Sequence, residues 1–248
     1  MTAESVRAAT AGEKRVAVAF SGGLDSSILA TCAAKEAEVV ACTAYSEGAR
    51  DQATAREAAS AMGIELVATE LTKEDAADGL GRIELPFVPT LMDRSLWCLY
   101  SVVARSAQEA GAEVMLLGQL ADELFGGYAK YAEALKAKGP DAASSMMEAD
   151  VREYAKRGRV RDVAACCRWV EPRFPFEAPG LTYFAMGLPV QFKIRDGVRK
   201  AVLRRAAAIL GVPEAQAGAE KKAAQYSSGV QKLVSQFTLL TPQTGGGP

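Results

Sequence analysis

Residues 15–31, RVAVAFSGGLDSSILAT, constrain this chain more than any other stretch. An apolar, β-prone run from Val16 to Phe20 ends in Ser21-Gly22-Gly23, passes through Asp25-Ser26-Ser27, and continues into an apolar helix. Two glycines at a strand-to-helix turn let the backbone approach an anion closely, because no Cβ intervenes. The helix that follows turns its free N–H groups and the positive end of its dipole toward such an anion. Hydroxyls at Ser21, Ser26 and Ser27 add donors, and Asp25 is suited to holding a divalent cation against phosphates. The turn is neither a G-x-x-x-x-G-K-[ST] phosphate loop nor a G-x-G-x-x-G dinucleotide fingerprint.

The pattern downstream extends this unit into a sheet. Val39 to Tyr45 reads as a second buried strand, residues 50–62 as an Ala-rich amphipathic helix, and Ile64 to Leu71 as a third strand. A βαβαβ start predicts an α/β fold, a parallel sheet with helices on both faces, and ligands at the carboxyl ends of its strands. Residues 72–82 read as a short helix and turn. Asp93 is the expected cap of a helix from Arg94 to about Ala110. Glu113 to Gly118 predicts a fourth strand, followed by a polar helix reaching about Lys138. From Asp141 the pattern is helical, with no further strong strand: helices over 141–157 and 160–169, a Pro-rich loop EPRFPFEAPG, then helices over 181–186 and 196–210. This gives an N-terminal extension (1–14), one domain (15–236) that ends in a helical part, and a flexible tail (237–248).

Composition removes several function classes. A net charge of −1 gives no general attraction for nucleic acid. No apolar run approaches the ~20 residues of a membrane span. The N-terminus lacks the apolar region of a secretory signal, so a cytoplasmic protein is expected. The chain has no histidine, and its five cysteines form no C-x-x-C pair. Zinc sites of the usual kinds and Ser-His or Cys-His nucleophiles are therefore not expected. Acid–base work falls to carboxylates, Lys, Tyr or water.

The second informative stretch is GQLADELFGGY, residues 118–128, which starts where the fourth strand ends. It puts Asp122 at the same sheet edge as Asp25, and two such carboxylates can clamp a hard cation such as Mg²⁺. On its own, Asp-Glu at a helix start is explained by the helix dipole.

The motifs taken together resemble known families. SGGLDSS resembles the signature of PP-loop ATP pyrophosphatases, which implies an adenine nucleotide α-hydrolase-like fold. GQLADELFGGY resembles the G-E-G-[SA]-D-E-L-F-G-G-Y motif of the asparagine synthetases, in their ATP-using domain. EPRFPF resembles that family's E-x-R-x-P-F, and RKAVLRRA its K-x-x-L-R segment. The resemblance implies an AMP-forming ligase that uses ATP and Mg²⁺, adenylates a carboxylate (aspartate first) and transfers ammonia or another amine to it. It assigns Ser21, Gly22, Gly23, Asp25, Ser26 and Ser27 to the phosphate loop and Gly118 to the nucleotide. Asp25 and Asp122 become magnesium carboxylates. Glu171 becomes the Glu of E-x-R-x-P-F, and Lys222, with Lys221 as fallback, the lysine that stabilises adenylation.

Two departures stand out. The family motif has Glu where this chain has Gln119, and Gly where it has Leu120. That Glu handles a proton in the amide-forming step, which a glutamine cannot do. The chain also enters the PP-loop almost at once, so no glutaminase is expected within it. Ammonia then comes from solution or from a separate partner. The competing expectations are a PP-loop enzyme acting on a different substrate such as tRNA, and a non-catalytic ATP-binding homologue.

Overall fold

The computed structural model describes residues 1–47, 49, 51–219 and 228–238. The chain runs α1 (Thr2–Thr10), β1 (Arg15–Ala19), α2 (Leu24–Ala33), β2 (Glu38–Tyr45), α3 (Asp51–Met62), β3 (Glu65–Glu70), α4 (Lys73–Gly81), α5 (Leu91–Glu109) and β4 (Val114–Leu116). It continues with α6 (Ala121–Phe125), α7 (Ala129–Lys138), α8 (Pro140–Glu153), α9 (Arg159–Cys166), β5 (Glu171–Arg173), α10 (Pro179–Gly187), α11 (Val190–Lys193), α12 (Ala201–Leu210), α13 (Glu214–Ala217) and α14 (Val230–Thr238).

The five strands form one parallel sheet in the order β3-β2-β1-β4-β5. The period-two alternation of a strand divides the core. Val16 and Val18 of β1, Val39 and Ala41 of β2, and Val114 and Leu116 of β4 pack on one face with α2 and α12. Ala17, Val40, Cys42 and Met115 pack on the other with α5. Strands buried on both faces read as continuous apolar runs, which is why β1 and β2 were visible in the sequence. The order reverses between β1 and β4, and that switch point opens a crevice at their carboxyl ends.

Several sequence expectations change. Residues 2–10 of the N-terminal extension form a helix that packs on α2, with Val6 fully buried. Helix α5 starts three residues earlier than expected. Thr90 is its cap and Asp93 sits at the third helical position, completing a reciprocal capping box. The polar helix to Lys138 is broken by Gly126, whose φ of 73° ends α6 in the left-handed region. Helices α8 and α9 are joined by a π-helical turn at Tyr154–Gly158. The expected loop at 171–173 is a fifth strand, β5. Pro172 is tolerated there because β5 lies at the sheet edge, where a missing N–H breaks no ladder. Phe174 and Phe176 are buried in the core. The disposition of the 237–248 tail falls largely outside the described residues.

Helices α7, α8 and α11 enclose a small separate core around Tyr131, Met147 and Ile194. Lys193 is buried beside it. Burial pushes its ammonium down to about 8, and the carboxylate of Glu148 recovers only part of this. The folded chain therefore holds this proton less tightly than the unfolded one. The resulting penalty is complete below about pH 8 and is relieved as pH rises toward 10.5. Lys193→Met should raise stability at pH 7 by up to about 3 kcal/mol, and the gain should vanish near pH 10.5. Thermal unfolding across that range measures it.

Candidate active site

The β1–α2 turn places the first motif at the switch point. Gly22 has φ of 73° and is buried against α3. A Cβ there would meet the Thr54 carbonyl oxygen at 2.8 Å, so only glycine fits. Gly23 caps α2. Around it the Ser26 hydroxyl donates to the Gly23 carbonyl (3.2 Å), and the Ser21 and Ser26 hydroxyls lie 3.4 Å apart. Ser21, Asp25 and Ser26 line the crevice, whereas Ser27 is fully buried and does not.

The second motif reaches the same place from β4. Asp25 passes close to Gly118, where an added Cβ would sit 3.2 Å from the Asp25 Cβ. Leu120 takes φ of 71°, a left-handed conformation that costs a residue with a Cβ roughly 1–2 kcal/mol. This explains the glycine of the related motif. Here the leucine side chain is buried in the core, which offsets the strain. The kink starts α6 and brings Asp122 toward Asp25.

Between the two carboxylates lies Lys200. Its Nζ is 2.7 and 2.5 Å from the two oxygens of Asp25 and 2.8 Å from Asp122 Oδ1. The lysine side chain is 4% exposed, and its backbone is left-handed, with φ of 57°. Burial alone would lower its pKa, but the charges of Asp25 and Asp122 outweigh that and raise it. Gly127 completes the packing: a Cβ there would fall 1.8 Å from Asp122 Oδ1 and 2.5 Å from Lys200 Cε. Lys200 is the lysine of the K-x-x-L-R segment within RKAVLRRA, although the resemblance gives the adenylation role to Lys222. A lysine in a basic helix start reads as a solvated charge until the fold turns it inward.

The crevice holds about 750 Å³ of non-atom space, part of it open to solvent. Its walls combine apolar Ala44, Leu99, Val103 and Leu117 with polar Ser21, Asp25, Gln119 and Asp122. That mixture suits a ligand with a flat apolar part and a charged tail. Among the described residues no three His, Cys, Asp or Glu side chains form a metal group. Asp25 and Asp122 are the carboxylates that would hold Mg²⁺, which commonly takes one or two carboxylates and completes its shell with phosphate oxygens and water, and three of their four oxygens face the Lys200 ammonium here.

Not every expected residue arrives. Glu171 is at the start of β5, in register with Val114 and Val16, at the amino-terminal edge of the sheet. It is about 16 Å along the strand direction from the level of Ser21. There it forms a two-pronged ion pair with Arg173 that holds its carboxyl below the usual range. Lys221 and Lys222 lie outside the described residues. Gln119 does line the crevice, and it donates to the Tyr100 hydroxyl (2.8 Å) and to Asp162 Oδ2 (2.7 Å). Asp162 in turn pairs with Arg161, which reaches Asp93. Burial pushes Asp162 up to about 6, against the pull of Arg161. Nearby, Glu177 accepts from Tyr154 and Arg159.

The asparagine synthase family model matches residues 1–155 and 135–238. The chain belongs to the asparagine synthase family. A Methanocaldococcus jannaschii relative described as "Putative asparagine synthetase (glutamine-hydrolyzing) 1" is 26% identical over 257 residues, 90% of this chain and 47% of its own length. A Bacillus subtilis glutamine-hydrolysing asparagine synthetase is 32% identical over 122 residues, 48% of this chain and 19% of its own. The mouse asparagine synthetase domain-containing protein 1 is 28% identical over 161 residues, 58% of this chain and 26% of its own. This asparagine synthase-family chain thus spans about half the length of the first of these relatives, and less of the others. Among solved structures, an NMN synthetase from Francisella tularensis aligns over 90% of this chain and 74% of its own, with 12% identity and a TM-score of 0.48. No described helix is long and apolar enough to cross a membrane.

Proposed function

We propose that the protein is an ATP-dependent, AMP-forming ligase that joins a carboxylate to ammonia or another amine, with aspartate the first carboxylate to test. The observation that carries this reading is the convergence of Asp25, Asp122 and Lys200, from three separate segments, beside a crevice at the sheet's switch point. The crevice walls would take the nucleotide base, and the α2 N-terminus with Ser21 and Ser26 would take phosphate. A substrate carboxylate oxygen attacks the α-phosphorus, the bond to pyrophosphate breaks, and an acyl-adenylate forms. The amine nitrogen then attacks the acyl carbon, AMP leaves with the carbon–oxygen electron pair, and the excess proton passes to water. When bound, Mg²⁺ on Asp25 and Asp122 would neutralise charge on the pyrophosphate. Lys200 supplies a fixed positive charge at the same point without reorganisation. Glu171 has no part in these steps.

The test is ATP–pyrophosphate exchange with Mg²⁺ against a panel of amino acids and other carboxylates. Exchange that depends on aspartate is the expected result. Exchange with another acid would redirect the substrate. Bound ATP with no exchange for any acid would defeat the ligase reading and favour a tRNA-directed or non-catalytic role. The source of the amine, whether free ammonia or a partner that supplies it, belongs to this proposal and is read by adding ammonium salts to the same reaction.

A further inference from the structure

Gln119 is one of two points at which this chain departs from its family motif, and its surroundings are specific. An amide nitrogen carries two hydrogens, and both are committed here, one to Tyr100 and one to Asp162. Among the described residues the carbonyl oxygen of Gln119 accepts no hydrogen bond, and the residue lines the crevice beside Asp122. Asp162 is fully buried and cannot meet a ligand itself. Its other oxygen is held by Arg161, which is anchored in turn by Asp93 at the start of α5. Turning the Gln119 amide over would set its oxygen against the Asp162 carboxylate, two acceptors 2.7 Å apart. A glutamate at 119 would meet the same obstacle, with two like charges at that distance.

We propose that Asp162 is a positioning residue that, with Tyr100, locks Gln119 so that its carbonyl oxygen faces the crevice as the acceptor for an N–H of the attacking amine. This deepens the ligase reading and rests on it for the identity of the donor. A titrating glutamate can take a proton from the amine. The locked amide can only hold the amine by its N–H, so the group selected is an N–H donor and the proton leaves by water. The glutamine and the buried aspartate are thus a matched pair, and the substitution at 119 is tied to the residue behind it.

A stability cycle tests the pairing without any substrate. Gln119→Glu should lower the midpoint of thermal unfolding at pH 8. Adding Asp162→Asn should restore most of it, because the asparagine amide can donate to the new carboxylate. A Gln119→Glu protein as stable as wild type, or a double variant no better than that single one, would overturn the positioning role. The acceptor role is read in hydroxamate formation from ATP, hydroxylamine and L-aspartate, or whichever carboxylate supports exchange in its place. Gln119→Met should raise the KM for hydroxylamine about tenfold, the worth of one hydrogen bond, and change the KM for ATP much less. Equal changes in both would overturn it. Wild-type protein that exchanges with no carboxylate would remove the ligase reading and the amine role together, while the unfolding cycle still decides whether Asp162 positions Gln119.

Discussion

Asp122→Ala should reduce ATP–pyrophosphate exchange by about three orders of magnitude while the protein stays folded. The activity loss follows from removing one of two carboxylates suited to Mg²⁺, a contribution of several kcal/mol to charge stabilisation. The retained fold follows from charge balance. Asp25, Asp122 and Lys200 carry a net charge of −1 in a buried setting. Removing Asp122 leaves Lys200 paired with Asp25, a neutral couple that is cheaper to bury. Exchange assays and thermal unfolding on the same preparation check both halves. Wild-type exchange in the variant would remove Asp122 from the chemistry, and an unfolded variant would show that the balance argument misjudges this cluster.

The opposite pattern is expected for Lys200→Met, which should cost about 3–5 kcal/mol of stability at neutral pH. This change leaves two carboxylates facing each other without the ammonium they share, and their repulsion is relieved only by protonation or by another cation. The loss should shrink as pH falls, because protonation then occurs without penalty. It should also shrink when Mg²⁺ is added, because a divalent cation can replace the ammonium between the two oxygens. Denaturant unfolding with and without Mg²⁺ measures this directly. A Lys200→Met protein with wild-type stability and no response to Mg²⁺ would contradict the geometry. The two substitutions together separate what the cluster does for chemistry from what it does for folding.

Much of this could be read from the residues in advance, for identifiable reasons. Doubly buried strands leave continuous apolar runs, so β1, β2 and β4 and their order as a βα series were legible. The SGGLDSS and GQLADELFGGY turns were legible because glycines mark places where a Cβ would collide, as at Gly22 and Gly127. What escaped has a common cause. β5 is three residues long and contains a proline, so no periodicity could reveal it. Glu171 was carried over from motif position, and its place at the opposite sheet edge depends on strand register, which no local pattern encodes. Lys200 and Asp162 are charged residues within helical stretches, and burial of such a residue depends on which partners the fold brings to it. The π-helical turn before α9 likewise leaves no composition signal.

The bridge from Lys200 to Asp25 joins residues 175 positions apart. Closing a contact this distant in sequence costs loop entropy that only the rest of the fold can offset. No fragment holding one motif can therefore present the assembled cluster of Asp25, Asp122 and Lys200. The coupling also works in reverse. A nucleotide at one hundred times its dissociation constant would add about 2.7 kcal/mol to the stability of the whole chain. Under the proposed function, ATP in the crevice would clasp the β1–α2 and β4–α6 turns that line it, and a shift in unfolding temperature on adding ATP would report that clasp.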